Sequence, residues 1–556
     1  MYYSGAQILI KLLEQFGIKK IPGIPGGANL PIYSALADSS IEHILTRHEQ
    51  GAGFIAQGMA RSTGKAAVCF ATSGPGATNL LTAIADAKLD SVPIIAITGQ
   101  VPTTYLGTDA FQEIDTYGLT LPITKHNFLV RSAKELLDVI PEAFRIAGGG
   151  RPGPVAIDIP KDVQLEKIKV SKWPIPKKAS GKKIDQKTIR EIAQEINKAK
   201  RPLLYIGGGI ISSGAHLALR KFSGKNSIPV TSTLMGLGAF SPQDPLYLGM
   251  LGMHGARYTN LLLKETDLLL AFGVRFDDRA TGNIKEFCSQ AKIIHIDIDH
   301  AEIDKLKKTN ISIAGDIKQA LEQILPYLRR DARRQWLAHV VKFKKKYPFF
   351  MPAKKDFFQP LNFIQAISRH LAPQDIITTD VGQHQMWVAQ AYSFSRPRTF
   401  LTSGGLGTMG FGFPAAIGAA LANPDKRAIC ISGDGSFLMN IQELATLADL
   451  NLDVAAIIMN NQNLGLVRQQ QELFYGKKYI GTFFKSNPDF TKIAESFGIR
   501  GYDLGKAKQP AKMLGEALRK KGPCVINAPI HYAENVMPMV APGAANSEMI
   551  GGQEYE

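Results

Sequence analysis

The strongest chemical signal in the sequence is an acid and an amide placed at the ends of two strand-like runs. GDGS (433–436) closes the run RAICIS; a helical pattern follows, and a second run, LDVAAIIMNN, ends at Asn460 and Asn461. The interval from Asp434 to Asn461 accommodates one helix and one returning strand. Both side chains then fall at the carboxyl ends of neighbouring parallel strands, where open α/β sheets bind ligands. Asp434 offers a charged oxygen and Asn461 an amide oxygen. With a main-chain carbonyl near Asn463, water and two phosphate oxygens, they complete an octahedral Mg2+ site. Gly435 and Ser436 begin the helix and can aim backbone N–H groups at a phosphate. GDGS alone reads more readily as an ordinary turn; the strand–helix–strand frame and the terminal Asn pair tip the reading toward the metal site.

A second candidate is Glu49, in TRHEQGAGFIAQGMAR (46–61). It follows the strand-like EHILTRH and opens a Gly- and Ala-rich helix. Taken alone, a glutamate at a helix start is a solvated charge favoured by the helix dipole.

The elements that must carry these residues read as α/β, with three doubly wound parallel-sheet domains. AAVCFAT (66–72), SGPGATNLLTAIADAKLD (73–90) and PIIAITG (93–99) form a strand, a helix and a strand, which implies a parallel sheet covered on both faces. Residues 1–165 make the first domain, 188–327 the second and 361–535 the third. Linkers are expected at 166–187, where Lys and Pro cluster, and at 328–360, which is basic and partly helical. The tail, 536–556, is placed as a lid over a site. In the middle block RPLLYIGGGII enters a Gly-rich turn, a weak nucleotide signal by itself.

Composition removes several function classes. The chain has 556 residues, 45% of them apolar, and a formal net charge of +17. No apolar run is long enough to cross a membrane, and the first residues read as an amphipathic helix, not a secretion leader. The four cysteines are far apart and form no CxxC pair, which points to a reduced, cytoplasmic setting without structural zinc. The basic stretches lack aromatic spacing for base stacking, so the charge is read as a solvated surface, with neither nucleic acid nor membrane as partner.

The chain resembles the catalytic large subunits of the acetolactate synthase family, thiamine-diphosphate enzymes. The resemblance spans nearly the whole chain and rests on RHEQGAGFIAQGMAR, GIPGGANLPIY, TSGPGATNLLTAIADA, GTDAFQEID, GRPGPVAIDIPKDVQ, LGMHG, RFDDR, TSGGLGTMGFGFPAAIGAA, GDGS…NN and LGLVRQQQ. It implies thiamine diphosphate, Mg2+ and FAD as cofactors and pyruvate and 2-ketobutyrate as substrates, in the biosynthesis of isoleucine, valine and leucine. It also implies a homodimer or dimer of dimers, and a small regulatory subunit. The three domains become pyrimidine-binding, FAD-binding and diphosphate-binding in turn.

Roles follow by the same resemblance. Glu49 is implied to hydrogen-bond the aminopyrimidine ring and promote its imino tautomer; burial of such a carboxyl favours a shared proton. Gly27 places a backbone N–H near the thiazolium, and Phe111, Gln112 and Lys161 line the site from the first domain. Met253, Asp278 and Arg279 come from the middle domain, Arg279 pairing with the carboxylate of the second keto acid through its planar fork. Gln383 and His384 contact the diphosphate, with Gly435, Ser436 and Asn463. The Gly407 carbonyl holds the amino group, and Met409 wedges beneath the bent cofactor. Val467 and Gln470 belong to the acceptor pocket. Flavin contacts are implied for Arg151, Gly207, Gly208, Gly209, Thr233, Leu234, His254, Gly273, Arg275, Asp297, Ile298 and Asp316. Without the resemblance, Lys161 is a surface lysine, RFDDR a surface salt-bridge cluster and Met409 core packing. Gln470 departs from the family, most of whose members carry Trp there, and weaker discrimination for 2-ketobutyrate is expected. A flavin pyruvate oxidase, another thiamine decarboxylase, or a regulatory protein that kept the fold but lost catalysis are the competing readings. The joint presence of Glu49, Asp434 and Asn461 argues against the last.

Overall fold

The computed structural model describes residues 1–175, 183–349, 351–352 and 356–551. Three six-stranded sheets run through it, and every strand pairing within them is parallel. Strands such as Ala67–Ala71 and Ile94–Gln100 are buried at every position. Helices cover both faces, which is why these runs read as continuously apolar.

Numbered along the chain within each sheet, the first and third sheets share one strand order, 2-1-3-4-6-5, and the middle sheet has 3-2-1-4-5-6. The middle order is the one of dinucleotide-binding folds. In each sheet the chain winds to both sides of a switch point beside its first strand, and the loops at the carboxyl ends of the strands there open a crevice. In the first domain the crevice is bordered by the loops after Lys20–Gly23 and Ala67–Ala71, in the third by those after Ile376–Thr379 and Ala428–Gly433, and in the middle by those after Pro202–Ile206 and Leu268–Phe272.

The outer domains meet through two helices, Glu49–Thr63 and Gly412–Ala422, both buried along nearly their whole length. A Cβ on Gly58 would lie 2.1 Å from the Ala415 carbonyl oxygen, and one on Gly418 2.0 Å from that of Ile55. The two backbones touch, and glycine is required on both sides. Phe54 and Phe411 pack edge to face beside the crossing, with centroids 5.4 Å apart.

The connecting segments are partly built into the domains. Lys167–Lys169 pairs antiparallel with Tyr2–Ser4, so the start of the expected first linker belongs to the N-terminal domain. Its Lys-rich stretch 176–182 lies outside the described residues, as do 350 and 353–355 of the second linker and 552–556 of the tail. Within the expected second linker, helix Arg334–Lys346 packs on the middle domain. Trp336 and Val340 are buried there with Phe343 beside them, and the Trp336 indole donates to the Pro202 carbonyl at 3.0 Å. Three apolar residues at helical spacing suffice to dock an otherwise basic helix. The tail folds back as a two-stranded piece, Met539–Val540 against Met549–Ile550, and the Val540 amide donates to the Met253 carbonyl at 2.8 Å. All four cysteines are buried and free. Among the described residues no helix is long and apolar enough to cross a membrane.

Gly418→Ala tests the helix contact. A methyl group inserted against a backbone carbonyl should cost about 1–3 kcal/mol, measurable by chemical denaturation, whereas an alanine at exposed Gly224 of helix His216–Asn226, where a Cβ meets open space, should cost less.

Candidate active site

The third domain's crevice gathers the acid and amides singled out in the sequence. Asp434 follows strand Ala428–Gly433 and opens the short helix Asp434–Leu438. Gln383 and His384 follow strand Ile376–Thr379 across the turn at Gly382, and Asn461 follows Val454–Asn460. The Asn461 amide donates to Gln383 Oε1 at 3.2 Å. Gln383 in turn donates to Gln469 at 2.9 Å and to the Glu534 carbonyl at 2.7 Å. Asn463 donates its side-chain amide to the Asn461 carbonyl at 2.7 Å. Ser436 spends its hydroxyl on the Val381 carbonyl, at 2.9 Å. Space is tight at Gly465, where a Cβ would lie 2.0 Å from Gln383 Oε1, and at Gly435, where it would meet Leu464 and Phe484 at 2.9 Å.

Asp434 is buried, and burial pushes its carboxyl up to about 6. Asn487 Nδ2 donates to it at 2.8 Å. Backbone amides of Gly435 and Gln462 oppose that shift, but a buried carboxylate still costs free energy until a cation compensates its charge. Among the described residues no group of three His, Cys, Asp or Glu could hold a metal by itself. One acid and two amides suit a hard cation that takes its remaining ligands from phosphate and water. His384 Nε2, Asn463 Oδ1 and Asn487 Oδ1 are also buried without partners, as expected of groups awaiting a polar ligand.

The N-terminal crevice presents Glu49. His48 caps the helix by accepting from the Gln50 amide. Glu49 is 9% exposed, and its Oε2 accepts from Asn79 at 2.9 Å. Gly26 is pressed against Thr72, whereas Gly27 is exposed with open space around it. Gln112 sits at φ +61, and Gly74 admits it: a Cβ there would lie 2.9 Å from the Gln112 carbonyl oxygen. Phe111 is exposed and Lys161 half-buried, both on the same domain.

Two cavities join the domains. The first brings Met253, His254, Arg275 and Arg279 of the middle domain together with Gly407, Gln470 and Met539; Thr233 and Leu234 line it too. The second shares Gly208, Gly273 and Arg275 with the first, then runs past Asp297, Ile298 and Arg151 to the N-terminal domain. The result is one elongated channel over the switch point of the middle sheet. Gly207 and Gly209 serve packing, since a Cβ on either would strike Gly273 at 2.2 and 2.5 Å; Gly208 has room. His254 is buried and held neutral, pushed down to about 4, and its Nδ1 lies 3.2 Å from the Pro538 carbonyl. Burial pushes Asp297 up to about 6. Arg279 Nη1 lies 3.8 Å from Met253 Sδ, and Asp278 beside it is exposed.

Several expected site residues lie outside both cavities. Asp316 caps helix Ile317–Ile324 by accepting from the Gln319 amide at 2.7 Å. Val467 is exposed while its neighbours Leu466 and Gln470 line the first cavity. Met409 is half-buried on the loop that carries Gly407.

Comparison with known proteins agrees with this layout. Three family models match in order: "Thiamine pyrophosphate enzyme, N-terminal TPP binding domain" at residues 3–119, "central domain" at 189–324 and "C-terminal TPP binding domain" at 380–528. The acetolactate synthase isozyme 1 large subunit of Escherichia coli is 53% identical, over 99% of this chain and 98% of that one. The chain belongs to the acetolactate synthase large subunits. The isozyme 2 large subunit of the same bacterium is 45% identical over 98% of this chain and 99% of its own, and a probable acetolactate synthase large subunit of Methanocaldococcus jannaschii is 46% identical over 98% and 95%.

The structure adds residues that the sequence did not single out. Asp380, fully buried, accepts from the amides of Val381, Gly410 and Gly412 at 3.0, 2.7 and 3.2 Å, tying two loops of the third domain. Asn440 donates to Gln50 Oε1 and to the Gly410 carbonyl. Glu443 reaches from the third domain to accept the Arg47 and His48 amides, each at 3.1 Å, immediately before Glu49. Asp380 closes a strand-like run, a signal that was open to use; Glu443 sits in a helical pattern and gives none. Glu443→Ala should leave two half-buried amides without their charged acceptor and cost about 1–3 kcal/mol in denaturant unfolding. Glu443→Gln keeps the acceptor oxygen and should lose less.

Proposed function

We propose that the chain catalyses the acetolactate synthase reaction: pyruvate loses CO2, and the two-carbon unit is joined to a second pyruvate or to 2-ketobutyrate, in branched-chain amino-acid biosynthesis in the cytoplasm. The observation that carries this reading is the cavity shared by Arg279 and Met253 with Gln470 and Gly407, next to the crevice that groups Asp434, Asn461 and Gln383. Thiamine diphosphate, when bound, supplies the electron sink that lets the keto acid decarboxylate. Asp434, Asn461 and the Asn463 carbonyl would hold Mg2+, which would supply positive charge for the diphosphate. Gln383 and His384 would steady the phosphates, and Glu49, from the first domain of a second copy in a homodimer, would exchange a proton with the pyrimidine ring. Arg279 suits the carboxylate of the acceptor, because its exposed fork can donate two parallel hydrogen bonds.

FAD fits the elongated channel and the 3-2-1-4-5-6 order of the middle sheet. The overall reaction is redox-neutral, so the flavin's role is structural. A small regulatory subunit completes the reading, in line with the large-subunit names of the relatives.

An anaerobic pyruvate assay with thiamine diphosphate, Mg2+ and FAD each omitted in turn should yield acetolactate only in the complete mixture. Oxygen-dependent acetate formation would favour a pyruvate oxidase instead. Glu49→Gln should fold normally yet lose about 10²–10⁴-fold in turnover, the usual worth of positioned proton transfer; near-normal turnover would refute the role. At Gln470 an indole would pack the extra methylene of 2-ketobutyrate, worth roughly 1–3 kcal/mol. Gln470→Trp should therefore raise the share of 2-aceto-2-hydroxybutyrate when both acceptors compete.

A further inference from the structure

A buried charge cluster joins the N-terminal domain to the loop that carries Gly407 and Met409. Arg61 donates to Asp86 at 3.0 Å, to Asp90 at 2.9 Å and to the Thr402 carbonyl at 2.9 Å. All three charged side chains are buried, both carboxylates completely. One guanidinium cannot balance two carboxylates, and an uncompensated buried charge is expensive. The remaining donors come from the loop. Asp86 accepts from Ser403 Oγ and from Thr408 Oγ1, the latter at 3.0 Å. Asp90 accepts from the amides of Gly404 and Gly405 at 2.9 and 2.7 Å. The Thr408 amide closes the turn on Ser403 Oγ at 2.8 Å. Both Gly404 and Gly405 are tightly enclosed, since a Cβ would meet Met235 Sδ at 2.4 Å in one case and Leu89 Cβ at 2.8 Å in the other.

Because the carboxylates are satisfied only by this arrangement of donors, they fix the loop's shape. That shape sets Gly407 at φ +70 and presents it, with Gly404, to the first cavity. Asp86 itself lines neither cavity. Arg61 and Asp90 line the second, so the cluster stands between the elongated channel and the coenzyme loop.

We propose that Asp86 is a positioning residue: with Arg61 and Asp90 it holds loop 403–409 in the form that receives thiamine diphosphate, without touching the coenzyme. This rests on the functional reading above. Asp86→Asn in the full-length, flavin-containing protein is the test. The apparent Kd for thiamine diphosphate should rise at least tenfold, and hydrogen exchange at amides 403–408 should quicken. Flavin content and melting temperature should stay close to wild type; a merely structural residue would lower these together with coenzyme binding. If Asp86→Asn does not fold, Thr408→Val removes one donor from the loop side and should weaken coenzyme binding about threefold. Unchanged coenzyme affinity and unchanged loop exchange in whichever variant folds would overturn the proposal. Should the wild-type chain take up no thiamine diphosphate, the functional reading fails, while loop exchange still decides the positioning role.

Discussion

The backbone contact between helices Glu49–Thr63 and Gly412–Ala422 is the constraint on which the rest of the structure depends. With Gly58 and Gly418 each against a carbonyl of the other helix, the two outer domains have little freedom to slide or tilt. Close packing converts that contact into positional accuracy elsewhere. At one end of the first helix, Glu443 and Asn440 of the third domain hold the turn that presents Glu49. Near the other end, Arg61 joins the acids that grip the loop bearing Gly407. A single buried helix therefore sets groups from both halves of the proposed coenzyme site.

The three sheets divide the chemistry by topology. The outer domains repeat one strand order, and both set residues of the proposed site in the crevice beside their first strand: Gly27 and the loop bearing Thr72 in one, Gln383 and Asp434 in the other. The middle domain has the dinucleotide order and opens its channel at the corresponding place. Its tail hairpin returns to Met253, so one edge of the first cavity is closed by residues far along the chain from the other walls.

Much of this was legible in the sequence because its signals were local. Parallel strands buried on both faces gave unbroken apolar runs, and Asp434 and Asn461 each ended one of them. The helical character of Arg334–Lys346 was legible, but its docking was obscured because only Trp336, Val340 and Phe343 mark the docking face among basic residues. Asp86, Asp90 and Glu443 were illegible for a different reason. An acid within a helical pattern looks like a solvated face, and the loop that bonds Asp86 and Asp90 lies hundreds of positions from them, as Arg47 does from Glu443. Asp316, implied at the flavin by resemblance, also caps a helix, a local role that its Asp-x-x-Gln setting permits.

Glu49 engages Asn79 of its own domain while Asp434 engages Asn487 of another, and the central claim is that copies of these two residues act on one coenzyme. Pairing two inactive variants tests this directly. When Glu49→Gln and Asp434→Asn chains are co-expressed and hybrid dimers purified, a site built across two chains predicts that activity returns, because each hybrid holds one site with both native residues. Hybrids that form and bind flavin yet remain as inactive as either parent would contradict it.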